Sequence, residues 1–224
     1  MSTFFEAKKI LVVGGSGVLG AALAREFRAA GAAVSLVTRA SSTLPSDLRD
    51  LPCARADVRD RDALRAAFAE LGGRADGVVN AVGVVAFGAV TDVPADVVLE
   101  LFRVNALGTV NVLAAGAEVL SEGGFVASLT GVAADVAVLN MSAYCASKSA
   151  AHAAMAVAAR EWRSKKITVL DVRAPHTETG LVERALWGQA PKMPLGLTPE
   201  VVAARIRTAL ENGERDLPAD AFAT

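Results

Sequence analysis

Residues 9–20 read Lys9-Ile10-Leu11-Val12-Val13-Gly14-Gly15-Ser16-Gly17-Val18-Leu19-Gly20, and Ala21-Ala22-Leu23 follow. A short apolar run runs into a cluster of glycines and then into a helix-forming stretch, which is the order strand, tight turn, helix. Read from Gly15 the turn is G-x-G-x-x-G; read from Gly14 it is G-x-x-G-x-x-G. Glycines at such a junction let the backbone come close to a pyrophosphate, and the helix N-terminus offers unpaired N–H groups and a positive dipole end. Lys8-Lys9 ahead of an apolar run also resembles a signal peptide. The glycine density weakens a helical signal core, and no uncharged run reaches the roughly 18–20 residues that cross a bilayer. The expectation is a cytoplasmic protein with no membrane segment.

Outward from this stretch, short apolar runs alternate with helical patterns. The expected strands are Lys9–Val13, Val34–Thr38, Ala54–Asp57, Gly77–Asn80, Gly124–Leu129 and Ile167–Val172. They are nearly continuous in Val, Ile and Leu, as strands buried on both faces of a parallel sheet are. Between them the helices expected are Leu19–Ala30, Arg61–Leu71, Ala95–Val104, Thr109–Leu120 and Ala143–Arg163. A last helix is capped by Thr198, carries Pro199 in its first turn and ends near Gly213. This alternation specifies an α/β fold, a single doubly wound parallel sheet (Rossmann-like) with helices on both faces, over residues 1–224. The segment 177–197, with Pro191 and Pro194, interrupts the alternation and reads as a substrate lid.

Composition narrows the functions. The 224 residues are 53% hydrophobic and 21% charged, with 23 Lys+Arg against 24 Asp+Glu. A net charge of −1 leaves no basic field to hold nucleic acid. Two cysteines and two histidines, none at ligand spacing, support neither a disulfide framework nor a metal site.

After the second strand the chain reads Thr38-Arg39-Ala40-Ser41-Ser42, with no acid before Asp47. A carboxylate at that place selects the ribose diol of NAD, whereas Arg39 can pair with a 2′-phosphate. NADP is therefore expected over NAD, although Arg39 also reads as a solvated surface arginine. Tyr144, the one tyrosine, and Lys148 stand four apart near the start of a long helix and so share a face. A nearby ammonium favours the phenolate and lowers the tyrosine pKa.

Taken together, the glycine turn, Asp57-Val58, Asn80-Ala81-Val82-Gly83, Asn105 and Tyr144-Cys145-Ala146-Ser147-Lys148 resemble the short-chain dehydrogenase/reductase family in order and approximate spacing. The resemblance implies that Gly14, Gly15, Ser16, Gly17, Val18, Leu19 and Gly20 hold the cofactor phosphates and that Asp57 and Val58 border the adenine. It implies that Asn80, Ala81 and Gly83 line the cofactor cleft, that Asn105 holds a water behind Lys148, and that Lys148 binds the nicotinamide ribose. Tyr144 then passes a proton to the substrate carbonyl. The resemblance further implies that, after Pro175, Thr177 or by preference Thr179 lies near the nicotinamide carboxamide, and that the helices 109–120 and 143–163 build a homodimer or homotetramer.

One position departs from the family pattern. The serine usual 13 residues before the tyrosine is Gly131 here, so Thr130 is expected to stand in for it, with Ser128 as the next hydroxyl. A one-residue offset requires a local bulge to bring Thr130 to the substrate. The activity expected is hydride transfer between NADP and a small carbonyl or alcohol, probed by an apolar lid bearing Leu181, Val182, Leu186, Trp187, Met193 and Leu195. The alternative is a non-catalytic dinucleotide-binding sensor or partner protein of the same fold.

Overall fold

In a computed structural model that describes residues 3–223, seven strands form one parallel sheet. They are β1 (Lys9–Val13), β2 (Ala33–Thr38), β3 (Cys53–Arg55), β4 (Ala75–Asn80), β5 (Leu120–Leu129), β6 (Thr168–Val172) and β7 (Asp216–Leu217), in the order β3-β2-β1-β4-β5-β6-β7. Alternate residues of each strand feed two apolar layers. Ile10, Val12, Leu36 and Leu170 face one side, where α1 (Val18–Ala29) and α6 (Pro199–Glu211) deliver Leu23, Phe27, Val202 and Ile206. Leu11, Val13, Val78 and Val169 face the other, under α2 (Arg61–Glu70), α4 (Gly108–Val119) and α5 (Ser142–Glu161), which bring Leu64, Phe68, Val112 and Met155.

The helix ends follow their sequence signals. Asp60 caps α2 by accepting the Ala63 N–H at 3.0 Å, and Thr198 accepts the Val201 N–H at 3.4 Å at the start of α6. α6 stops at Glu211, with Asn212 and the left-handed Gly213 just beyond.

Three features differ from the sequence expectation. The third strand ends at Arg55 and not at Asp57, because the Asp57 carboxylate turns back to accept the Arg59 N–H at 2.9 Å. The expected helices 95–104 and 109–120 are one continuous helical stretch: α3 (Ala95–Leu101) passes through a π turn (Phe102–Leu107) into α4. That stretch has a mean hydropathy of 1.5 over a span long enough for a membrane, yet Leu101, Val104, Val112 and Leu113 pack onto the protein core. The two-residue β7 was not foreseen, since nothing so short has a period.

β1 has β2 on one side and β4 on the other. The chain reverses its direction of winding there, which opens a crevice at the C-terminal ends of the two strands. The crevice depends on one close approach. A Cβ at Gly20 would lie 2.2 Å from the Gly14 carbonyl oxygen, so only glycine lets α1 seat against the turn below it. Gly20→Ala is expected to cost about 1–3 kcal/mol through overpacking, measurable as a lowered urea midpoint.

Candidate active site

A cavity of about 320 Å³ lies over the C-terminal ends of β1, β4, β5 and β6. Gly17, Val18 and Leu19 from the glycine turn form one wall, and Ala81, Val82 and Gly83 after β4 form the next. Tyr144 and Lys148 enter from α5, and Pro175, His176, Thr177 and Thr179 follow β6. Gly14, Gly15, Ser16 and Gly20 complete the turn below this wall, with the Gly14 N–H bonded to the Val37 carbonyl at 2.8 Å. No side chain caps α1 and no acid stands in its first turn, so the positive end of that helix faces the crevice uncompensated. The donor set thus fits an anionic dinucleotide.

The segment 177–197 covers the cavity. Its two ends meet in a bridge between Thr177 and Leu197. Its middle docks by main-chain hydrogen bonds, Leu186 N–H to the Val85 carbonyl at 2.8 Å and Phe87 N–H to the Trp187 carbonyl at 2.9 Å. Leu181, Val182, Arg184 and Met193 of this segment line the cavity beside Val85, Phe87, Val138 and Met141.

Lys148 is 6% exposed, and its ammonium donates to the Leu129 carbonyl at 3.0 Å, 5.9 Å from the Tyr144 ring centre. Burial lowers its pKa to about 8, although the charge of Asp171 works the other way. Burial also pushes the Tyr144 phenol well above its ordinary range. That direction is opposite to the lowering expected from the i, i+4 spacing, because burial deprives the phenolate of hydration.

Asn105 sits in the π turn, 1% exposed. Its amide donates to the Val84 carbonyl and to Ser147 Oγ, both at 2.9 Å, and its side-chain oxygen accepts the Val84 N–H at 3.0 Å. Ser147 in turn donates to the Tyr144 carbonyl at 2.8 Å, so Asn105 ties the wall at Val84 to α5. Asn80 is a similar knot, donating to Thr109 Oγ1 at 3.3 Å and Ser128 Oγ at 3.2 Å while accepting the Val82 N–H at 3.2 Å.

Thr130 is elsewhere than expected. Its side chain is fully buried and its hydroxyl donates to Asp171 Oδ1 at 2.6 Å, away from the cavity. The β5–β6 ladder keeps register to Leu129 opposite Val172, and beyond it Gly131 N–H meets the Val172 carbonyl and Val132 N–H the Ala174 carbonyl, both at 3.0 Å; this irregular end of the ladder leaves Thr130 turned to β6 and not toward the cavity. Ser128, also buried, is held by Asn80. Gly131 itself lines the cavity at φ +78°, a backbone setting that a serine would strain.

At the outer end of the crevice Arg39 is exposed and Asp57 is paired with Arg59 through two contacts of 2.9 and 2.7 Å. That guanidinium holds the Asp57 carboxyl below its usual value. Val58 is buried, its carbonyl accepting from Asn111 at 2.9 Å. The sequence reading missed Arg55, whose Nη1 donates to Thr38 Oγ1 at 2.5 Å and to the Arg39 and Ser42 carbonyls at 3.0 Å, fixing the loop after β2. It also missed Arg184, a cation in the cavity wall. Long side chains reaching across from other segments leave no local pattern.

The Lys148 shift carries a sign. Between about pH 8 and the ordinary lysine value of 10.5 the unfolded chain holds a proton that the folded chain has released, so this group's contribution to stability rises with pH across that window. Tyr144 acts oppositely above its ordinary value of 10.0, where the unfolded chain loses the proton first. Urea denaturation at about pH 7.5 and 9.5 is expected to show a rise of roughly 2 kcal/mol from Lys148, absent in Lys148→Met.

Comparison with known proteins agrees with this geometry. The short chain dehydrogenase model matches residues 8–188. An uncharacterized oxidoreductase of Methylorubrum extorquens is 33% identical over 177 residues, 73% of this chain and 71% of that protein. The cyclic-di-GMP-binding biofilm dispersal mediator protein of Escherichia coli is 32% identical over 169 residues, 74% and 71% of the two chains. A short chain dehydrogenase of Burkholderia cenocepacia, solved in complex with NADP, is 26% identical with a TM-score of 0.80, covering 97% of this chain and 98% of its own. With a match that runs from the first strand into the covering segment, the chain belongs to the short-chain dehydrogenase/reductase family.

Proposed function

We propose that the chain is an NADP-linked oxidoreductase that interconverts a carbonyl and an alcohol, with Tyr144 as the proton donor and acceptor. The observation that carries this reading is the placing of Tyr144 and Lys148 together in the wall of a cavity that begins at the glycine turn. A protein that only binds a dinucleotide needs no phenol there, which disfavours the sensor reading. The bound cofactor supplies or accepts the hydride.

The chain's own residues have distinct tasks. The turn 14–20 and the head of α1 receive the pyrophosphate. Arg39 pairs with the 2′-phosphate on a loop held by Arg55, and Asp57 and Val58 border the adenine. Ala81 and Gly83 line the cleft that Asn80 braces, and Pro175, Thr177 and Thr179 border the nicotinamide. Lys148 holds the ribose hydroxyls. Tyr144 gives its proton to the carbonyl oxygen in reduction and takes it back in oxidation. The Asn105 carbonyl spends one lone pair on the Thr109 hydroxyl at 2.7 Å. We assign to the same carbonyl the water that returns a proton from solvent.

A second hydroxyl donor to the carbonyl oxygen is missing at Gly131, and the neighbouring main-chain N–H groups are spent on the sheet. Absence of one such donor typically costs on the order of 10²–10³ in rate, so a reactive carbonyl suits the site. Val85, Phe87, Val138, Met141, Leu181 and Met193 favour an apolar or aromatic substrate. Tyr144→Phe is expected to reduce turnover by about 10²–10⁴-fold while NADPH binding is retained. Arg39→Ala is expected to weaken NADPH and leave NADH nearly unchanged by fluorescence titration. Loss of both cofactors together would contradict the assignment.

Self-association belongs to the same proposal. Leu99, Phe102, Leu107 and Val110 on α3–α4 and Val157 on α5 are exposed apolar side chains. We infer a homodimer or homotetramer built on these helices, in a cytoplasmic setting that keeps Cys53 and Cys145 as free thiols. Light scattering at micromolar concentration is expected to give at least twice the 23.0 kDa chain mass, and Val157→Glu to lower it.

A further inference from the structure

Behind the cavity wall lies a buried ionic cluster that the proposed reaction does not use. Asp171 on β6 and Arg173 just beyond its end are 5% and 6% exposed. Asp171 Oδ1 accepts the Thr130 hydroxyl at 2.6 Å, and Oδ2 pairs with His152 Nδ1 and with Arg173 Nη1 at 3.2 Å. Arg173 continues outward to Asp135 and, through two bonds of 2.5 and 3.0 Å, to Asp216 of β7. Burying charges is expensive, and an apolar replacement is often no less stable, so such a cluster in a sheet interior calls for a reason beyond stability.

The reason lies in what the cluster touches. Lys148 and His152 stand one turn apart on the same face of α5. Leu129 and Thr130 are consecutive: the first gives its carbonyl to the Lys148 ammonium, the second its hydroxyl to Asp171. One dipeptide therefore joins the lysine to the acid. We propose that Asp171, oriented by Thr130, is a positioning residue for the Tyr144–Lys148 pair, holding the end of β5 as the seat of the ammonium. Thr130 thus serves the site from behind, as the strut of a carboxylate, and not as a donor to substrate.

The groups facing Asp171 are Thr130 just after β5, His152 from α5 and Arg173 just after β6; Asp135 and Asp216 reach Arg173 and not Asp171. The charge acting on Lys148 from this side is Asp171, and it favours the protonated lysine against burial. The inference rests on the Tyr144–Lys148 reading above, but its test does not require turnover.

The experiment is urea denaturation of the full chain over about pH 6–10, each variant being compared with the same variant carrying Lys148→Met, so that only the Lys148 titration remains in the difference. In the wild type the stability difference is expected to begin to change near pH 8. In Asp171→Asn the onset is expected near pH 7, a roughly tenfold loss of proton affinity at Lys148. Thr130→Val, which keeps shape and removes the hydroxyl, moves the onset the same way by less, and Thr130→Ser restores it. Should Asp171→Asn fail to fold, the Thr130 pair decides the matter. A purely structural cluster would lower stability equally at every pH with the onset unmoved, and that result overturns the proposal. So does a wild type with no onset at all. If a substrate is in hand, the alkaline limb of the rate profile shifts down with the onset; absence of turnover in every variant refutes the catalytic reading and leaves the titration standing.

Discussion

The Lys148 ammonium must be buried and still find an acceptor. In this chain it does so on the Leu129 carbonyl at the end of β5, and much of the surrounding architecture answers that need. A carbonyl is available there because the parallel ladder between β5 and β6 has just ended, leaving a strand end over the crevice. α5 must lie close enough for a lysine to span the gap, and the Asn105–Ser147 bond holds it there. The π turn that carries Asn105 breaks the regular hydrogen bonding of a long helix, an arrangement often found at functional positions.

Much of this was readable from residue order. Continuous Val, Ile and Leu runs marked the inner strands, and the glycine turn marked the first crossover, because burial and close approach leave compositional traces. What escaped was of two kinds. β7 is fixed by pairing with β6 and by Arg173 clasping Asp216, both long-range effects with no signature within two residues. Arg55 and Arg184 act through the reach of their side chains. By contrast Asp171, a charge within β6, and Arg173 just after it were a signal in the sequence; a buried parallel strand does not carry charge without a partner.

Thr130 shows the limit of pattern matching. The expectation that the nearest hydroxyl replaces a missing serine treats a strand as a list of residues. The sheet treats it as two faces, and Thr130 belongs with Ser128 to the face under the helices. The cavity edge is left to Gly131, where a left-handed backbone excludes most side chains. The cavity is accordingly lean in donors, which leaves the proposed proton transfer to the Tyr144–Lys148 pair.

The covering segment is attached through its main chain: Leu186 to Val85, Trp187 to Phe87 and the Thr177–Leu197 bridge. Bonds of that kind do not depend on which side chains the segment carries. Leu181, Val182 and Met193 are thus free to change without unfastening the cover, while each change reshapes the cavity they line. Drift in one segment can thus alter the shape of the cavity, with Tyr144, Lys148 and the sheet beneath left untouched.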